Sequence, residues 1–215
     1  MTDEFANHDE EDLAWPEKGD LLFTSGDDWW HNACLDRFPN WELYTIGYKT
    51  AADVLVEYVK GSRRDQDVLV FPVVFLYRHY LELCLKRLIE WGKELLDENP
   101  DFPKQHELDK LWHVCRPILS RLEPSIPKQD LEAIEEAIRQ FCAIDPSSEA
   151  FRYPLTKKGQ KSISPDVRYI NLRQLAEVME KVASFFDSAS MMVSVYVDYK
   201  RDMDREFGRD FEWDY

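Results

Sequence analysis

The chain of 215 residues is 44% hydrophobic and 13% aromatic, which predicts a folded body with a sizeable core rather than a disordered polymer. Its net charge of −15 disfavours nonspecific binding to nucleic acid, which requires clustered lysine and arginine. The excess lies at the two ends, because residues 1–28 hold ten acidic side chains against Lys18 and residues 202–215 hold six against two arginines.

The middle of the chain is therefore close to neutral and can hold a local basic site. The acidic ends are expected to add solubility, to cover such a site, or to bind a basic protein partner. We predict three parts, namely an acidic N-terminal arm over residues 1–40 that is partly docked through its aromatic residues, a helical domain over 41–205, and an acidic aromatic tail over 206–215.

Cysteine usage and hydropathy predict a soluble cytoplasmic protein. The four cysteines include no C-x-x-C pair and are expected to be reduced thiols. No signal peptide is visible at the acidic N-terminus. The longest strongly apolar run is ten residues, Val68 to Tyr77, whereas a membrane-spanning helix needs about 20, so no membrane association is expected.

Helical periodicity begins near Trp41 and recurs four more times along the chain. The predicted helices run over 41–61, from 65 or 66 to 96, over 105–122, over 128–145 and over 171–204. Pro72 is expected in the first turn of the second helix or at a bend. Residues 149–165 lack helical periodicity and are predicted to form at most a short β-hairpin. The fold class is all-α, an antiparallel helical bundle of about five helices.

The second helix carries charge inside an otherwise apolar segment, "FPVVFLYRHYLELCLKRL". Arg78, Glu82, Lys86 and Glu90 are four residues apart and form one line of alternating charge on the helix, with His79 beside it. One interpretation is a solvated face with ion pairs at i,i+4 spacing. The apolar surroundings favour a polar stripe that faces a cleft, a partner or a buried network, since unpaired charge in a core is costly.

Two further segments attract attention downstream. In "QHELDKLWH" the residues His106, Asp109 and His113 share a helix face, but their spacing is a weak metal signal, and neither a metal nor a cofactor is expected. In "FRYP" the proline favours an extended Tyr153, so that Arg152 and Tyr153 are expected to face opposite ways. The adjacent "TKKGQK" adds three lysines and indicates either a solvated loop or a phosphate-contacting loop.

Taken in order, "RHYLELCLK", "QHEL" and "FRYP" resemble the HEPN superfamily of small α-helical bundles, especially the type that accompanies minimal nucleotidyltransferases. The resemblance covers roughly residues 71–154. It implies an antiparallel helical bundle, usually a homodimer, associated with nucleotides, RNA or bacterial toxin–antitoxin and phage-defence systems. Catalytic members are metal-independent endoribonucleases in which four to six residues separate an Arg from a following His, and no Arg and His have that spacing here.

Three functions follow from these observations. The first is a non-catalytic HEPN-like module that binds a nucleotide, RNA or protein partner through a polar cleft. Its lining residues would be Arg78, His79, Glu82, Lys86, His106, Arg152 and Tyr153. In it Arg152, Arg78 and Lys86 would contact phosphate, while Glu82 orients Arg78.

The second function is a divergent metal-independent endoribonuclease. His79 or His106 would act as the general base, and Arg78 or Arg152 would stabilise the developing charge. The third is a structural or oligomerisation protein in which the stripe is a buried polar network that fixes helix register.

Overall fold

The computed structural model describes residues 15–35, 41–99 and 104–210. The chain divides into two compact units, residues 1–39 and 40–215. In the first unit the side-chain amide of Asn32 closes a loop on Gly26. The Gly26 N–H donates to Asn32 Oδ1 at 2.8 Å, and Asn32 Nδ2 donates to the Gly26 carbonyl at 2.7 Å. The loop holds a 3₁₀ turn, Trp29–His31. The predicted docking of the arm remains a prediction.

The second unit is a bundle of five α-helices, which confirms the predicted all-α fold class. The helices are α1 (Trp41–Ser62), α2 (Gln66–Leu95), α3 (Leu108–Leu122), α4 (Lys128–Ile144) and α5 (Leu172–Asp210). The three-residue connection between α1 and α2 makes these two helices antiparallel neighbours. Pro72 is the seventh residue of α2 and lies in its second turn, one turn later than expected.

The central position in the bundle belongs to α2, which packs against α1, α3 and α5, while α3 packs on α4. Every residue from Tyr80 to Ile89 is buried, including three charged ones. By length and composition α2 could also cross a membrane, but 56% of its most apolar window is buried in the protein, as in the core helix of a soluble protein. The cytoplasmic location remains a prediction.

The long segment between α4 and α5 contains turns instead of the expected hairpin. Within the described part of the chain no strand forms, and the segment has a single antiparallel bridge between Leu155 and Lys161. The Thr156 N–H donates to the Gln160 carbonyl at 2.8 Å and closes a tight turn that leaves no length for a ladder. Further on, α5 begins after Asn171, whose side chain accepts from the Gln174 N–H at 3.1 Å as a helix cap.

Two helix ends differ from expectation. The predicted start of α3 at Gln105 is three residues too early, and α5 continues six residues beyond Asp204. The first five residues of the predicted tail, 206–210, are therefore helical, and the remainder of the tail lies outside the described residues.

Candidate functional site

The charged stripe of α2 is a buried ion-pair network centred on Glu82. Lys86 Nζ donates to Glu82 Oε1 at 2.9 Å, and Arg78 Nη1 lies 3.5 Å from Glu82 Oε2. Arg78 and Glu82 are fully buried, and Lys86 is nearly so. The line at i,i+4 spacing that the sequence predicts is therefore present, but it faces the protein interior instead of solvent.

His106 completes this network from the segment that precedes α3. Its Nδ1 lies 2.7 Å from Glu82 Oε1, while 66% of its side chain is exposed. Burial by itself would raise the pKa of Glu82. The hydrogen bonds from Lys86 and His106 outweigh that effect, so the pKa lies below its ordinary value of 4.5 and the carboxylate is ionised. One imidazole in contact with solvent is thus held by a buried carboxylate.

Arg78 joins three segments of the bundle through its guanidinium group. Its Nη2 donates to the His106 carbonyl at 2.8 Å, and its Nε donates to the Asp145 carbonyl at 3.2 Å. The Asp145 carboxylate lies 3.7 Å from Nε and accepts the N–H groups of Glu149 and Ala150 through its other oxygen. The buried Arg78 therefore fixes the entrance of α3 and the end of α4 to α2, and the predicted phosphate contact would require access to a side chain that has none.

His79 lies beside the network in aromatic surroundings. It stacks on Phe75 with centroids 5.8 Å apart and meets Tyr48 edge-on at 4.4 Å. Desolvation lowers its pKa, and the nearby cations Lys86 and Arg78 act in the same direction against the charge of Glu82. Among the described residues His79 makes no hydrogen bond, so its imidazole is a neutral packing group at pH 7.

Arg152 and Tyr153 belong to the segment between α4 and α5, and Arg152 packs against Phe75 of α2. The Arg152 guanidinium is 5.7 Å from the Phe75 ring centroid and 5.5 Å from that of Tyr153. The two side chains do not face opposite ways as predicted, because the Arg152 and Tyr153 N–H groups both donate to the Glu149 carbonyl and curl the segment into a turn. Tyr153 itself is 54% exposed.

A cavity of about 530 Å³ opens beside this turn. Two of its lining residues are cations, Arg152 and Lys161, and none is acidic. The rest are Phe71, Ala150, Phe151, Tyr153, Pro154, Leu155 and Ile163. An acid-free, partly aromatic cavity suits an anion that carries an apolar or aromatic group.

The segments around His106 and Arg152 therefore both contact α2, but the three predicted motifs do not form a single cleft. Arg78, Glu82, Lys86 and His106 are in direct contact, whereas His79, Arg152 and Tyr153 follow at the Phe75 end of α2. Phe75, which holds Arg152, and Glu82, which holds His106, are seven residues apart, or about 10 Å along the helix axis. Sequence reasoning missed Asp145, whose only local signal is its position at the end of a helix.

No family model, curated protein or solved structure matches the chain. The class that the structure defines is an all-α helical bundle with a buried ion-pair network in its central helix. The resemblance to the HEPN superfamily remains a prediction. Within the described ranges no group of three or more His, Cys, Asp or Glu residues could hold a metal ion.

Proposed function

We propose that this protein is a HEPN-like module that binds a nucleotide or the end of an RNA strand in the cavity beside Arg152 and Tyr153. The observation that carries the proposal is the composition of that cavity. In a chain of net charge −15, its lining includes two cations and no acid. Its volume of about 530 Å³ lies in the range of small-molecule sites.

Each lining group has a role in this proposal. Arg152 offers a planar guanidinium for phosphate, and Lys161 adds a second charge from the opposite side of the turn. The exposed ring of Tyr153 can stack on a base, a contact worth about 1–3 kcal/mol that tolerates any sequence.

The His106 end of the network supplies a second contact region for a longer ligand. An RNA strand lying along α2 would reach from Arg152 to His106, whereas a single phosphate would touch only one of them. Under this proposal Glu82 and Arg78 position His106 and the loops, and do not contact the ligand themselves. Under this assignment the charged stripe of α2 has a structural role, and the complete burial of Arg78 favours such a role.

The second candidate function is a divergent metal-independent endoribonuclease, and the Glu82–His106 hydrogen bond favours it. A carboxylate on Nδ1 fixes the imidazole tautomer that presents Nε2 as a base toward a ribose hydroxyl. His106 suits this role better than His79, which is packed between aromatic rings. A place in a bacterial toxin–antitoxin or phage-defence system stays part of the proposal and rests on the family resemblance.

Binding of adenosine and uridine nucleotides and of short fluorescent single-stranded RNAs tests the proposal. Arg152→Ala and Lys161→Ala are each expected to weaken binding roughly tenfold or more, because each change removes a charge-assisted hydrogen bond to the ligand. Lys158→Ala is the matched control, because Lys158 belongs to the same loop but does not line the cavity. Equal losses in all three variants would indicate only general electrostatic attraction, and no binding by the unmodified protein would refute the proposal.

The same RNAs, analysed on denaturing gels, separate the two candidates. Cleavage that disappears in His106→Ala while binding persists would establish the nuclease. If the RNA stays intact at a saturating protein concentration, the nuclease is ruled out and the binding module is the candidate that is kept.

The predicted homodimer is also kept as a proposal. It is supported by Met191, Val195 and Tyr199, three exposed side chains at four-residue spacing on α5. The proposal of a basic protein partner for the acidic ends rests on charge alone, since residues 1–14 and 211–215 lie outside the described part of the chain.

A further inference from the structure

A second cavity of about 480 Å³ lies where α1, α2 and α5 meet, and the proposed function does not use it. Its lining is more polar than the lining of the cavity beside Arg152. The lining residues are Glu42, Thr45, Ile46, Lys49, Thr50 and Asp53 from α1, Tyr80, Arg87 and Trp91 from α2, and Asp187, Ser190, Met191 and Ser194 from α5.

Arg87 is a buried cation in this cavity whose hydrogen-bonding capacity is only partly used. Its side chain donates from Nη2 to the Ser190 hydroxyl at 2.6 Å, and its guanidinium lies 5.3 Å from the Trp91 ring centroid. Nε is buried and has no hydrogen-bond partner. Only 6% of the residue is exposed, and among the described residues no carboxylate forms an ion pair with it. A buried guanidinium without a paired anion carries a free-energy cost that an anion would relieve.

Tyr80, which also lines this cavity, has a second unsatisfied donor behind the cavity wall. It is 2% exposed, and its hydroxyl is buried without a hydrogen-bond partner. The Cys84 thiol is close to it, but no hydrogen bond of acceptable geometry forms, and burial raises the pKa of the Tyr80 hydroxyl, so it stays a donor. Tyr80 and Arg87 are seven residues apart and share one face of α2.

Opposite charge in the cavity comes from Asp187. Asp53, which lines the cavity, and Glu180, which does not, both form ion pairs with Lys49, at 2.8 and 2.7 Å. Asp187 is exposed and forms no ion pair with any described residue, nor does it lie within ion-pair distance of Arg87. The cavity thus contains one unpaired cation and one unpaired anion that do not meet.

We propose that this cavity binds a free amino acid with a large side chain. Arg87 Nε and the Tyr80 hydroxyl have almost no accessible surface in the free protein, so both side chains must turn toward the cavity for the ligand carboxylate to accept from them. The ligand ammonium group pairs with Asp187, and its side chain packs on Ile46, Trp91 and Met191. A zwitterion satisfies both unpaired charges without adding net charge to an acidic protein. The volume exceeds what a small amino acid needs, which selects the larger ones.

Thermal shift and calorimetry with the common free L-amino acids test this proposal on the full chain. One or a few large amino acids are expected to raise the melting temperature. The methyl ester and the N-acetyl derivative of each such amino acid are expected to bind tenfold or more weakly, because each removes one charge. If none of the amino acids binds, the proposal is wrong. If the ester binds as well as the acid, the site takes a cation and the proposal is equally overturned.

Two mild variants locate the ligand. Tyr80→Phe removes a hydroxyl that has no partner in the free protein, so folding is expected to be preserved while affinity falls several-fold. Asp187→Asn changes an exposed side chain and is expected to cost tenfold or more, whereas Asp198→Asn, an exposed acid elsewhere on α5, leaves affinity unchanged. Binding that survives both Tyr80→Phe and Asp187→Asn would place the amino acid elsewhere and refute the site. Nucleotide binding should be unaffected throughout, which separates this proposal from the proposed function.

Discussion

Replacing Glu82 with glutamine tests whether the network in α2 holds the bundle together. The change keeps the size of the side chain and removes its charge, so that Arg78 and Lys86 stay buried without the carboxylate that now lies between them. Removing one partner of a buried ion pair typically destabilises a protein by about 3–5 kcal/mol. Arg78 keeps two carbonyls and the Asp145 carboxylate, which places the expected loss near the lower limit, about 3 kcal/mol.

The loss is measurable by denaturant and thermal unfolding. For a protein of this size about 3 kcal/mol corresponds to a melting temperature lower by roughly 6–12 °C. Glu57→Gln is the matched control, since Glu57 pairs with Lys60 at the protein surface and the loss of its charge is expected to change the free energy of unfolding by less than about 0.5 kcal/mol. If Glu82→Gln is as mild as Glu57→Gln, the network does not stabilise the fold.

The same variant has a signature in acid. Because the pKa of Glu82 is lower in the folded protein than in the unfolded chain, the unfolded chain binds more protons as the pH falls. The contribution of Glu82 is complete above its ordinary pKa of 4.5 and is lost as the pH falls through the lowered value. The difference in stability between the unmodified protein and Glu82→Gln should therefore shrink below pH 4.5. A difference that is constant or growing in acid would contradict the proposed pairing.

Two further predictions concern packing. A methyl group added at Gly92 would overlap Ile118 Cγ2 of α3, so Gly92→Ala should cost about 1–3 kcal/mol, whereas Gly47→Ala in α1 meets no atom within 4 Å and should stabilise the protein by about 0.5–1 kcal/mol. Equal effects of both changes on denaturant unfolding would disprove the close approach of α2 and α3. For the proposed homodimer, Val195→Lys should lower the mass measured by light scattering from two chains to one, while Val68→Lys, an equally exposed change on α2, should not. A single-chain mass for the unmodified protein rules the dimer out.

The helices could be predicted from the sequence because their signals, the apolar repeat and the residues that end a helix, lie within each segment. The apolar repeat of α4 predicted 128–145 against the observed Lys128–Ile144, and Gly61 marked the end of α1 within one residue. The error at the start of α3 has a tertiary cause. Arg78 captures the His106 carbonyl from 28 residues away, and this contact holds His106 outside the helix that its sequence neighbours would allow.

The residues that contact Arg78 and Arg87 could not be predicted from local sequence patterns, because they are also distant in the sequence. Asp145 is 67 residues from Arg78, and Ser190 is 103 residues from Arg87, so no spacing rule connects either pair. The sequence could place Arg78, Glu82 and Lys86 on one line but could not tell whether that line faced solvent. Packing decided it, because α2 is surrounded by three helices, and the ordinary expectation for an i,i+4 stripe is a surface.

Two arginines nine residues apart on α2 show why burial alone does not identify a functional residue. Arg78 is fully buried and satisfied, with two carbonyls and two carboxylates around its guanidinium. Arg87 is almost as buried, yet its Nε has no hydrogen-bond partner, and no carboxylate of the described residues forms an ion pair with it. A satisfied buried charge is explained by the architecture that it joins. An unsatisfied one leaves a free-energy cost that the fold by itself does not explain, and a ligand that removes this cost would bind there. The network around Arg78 is therefore explained by the contacts within the bundle, whereas the unsatisfied Arg87 is the observation that supports the proposed amino-acid site.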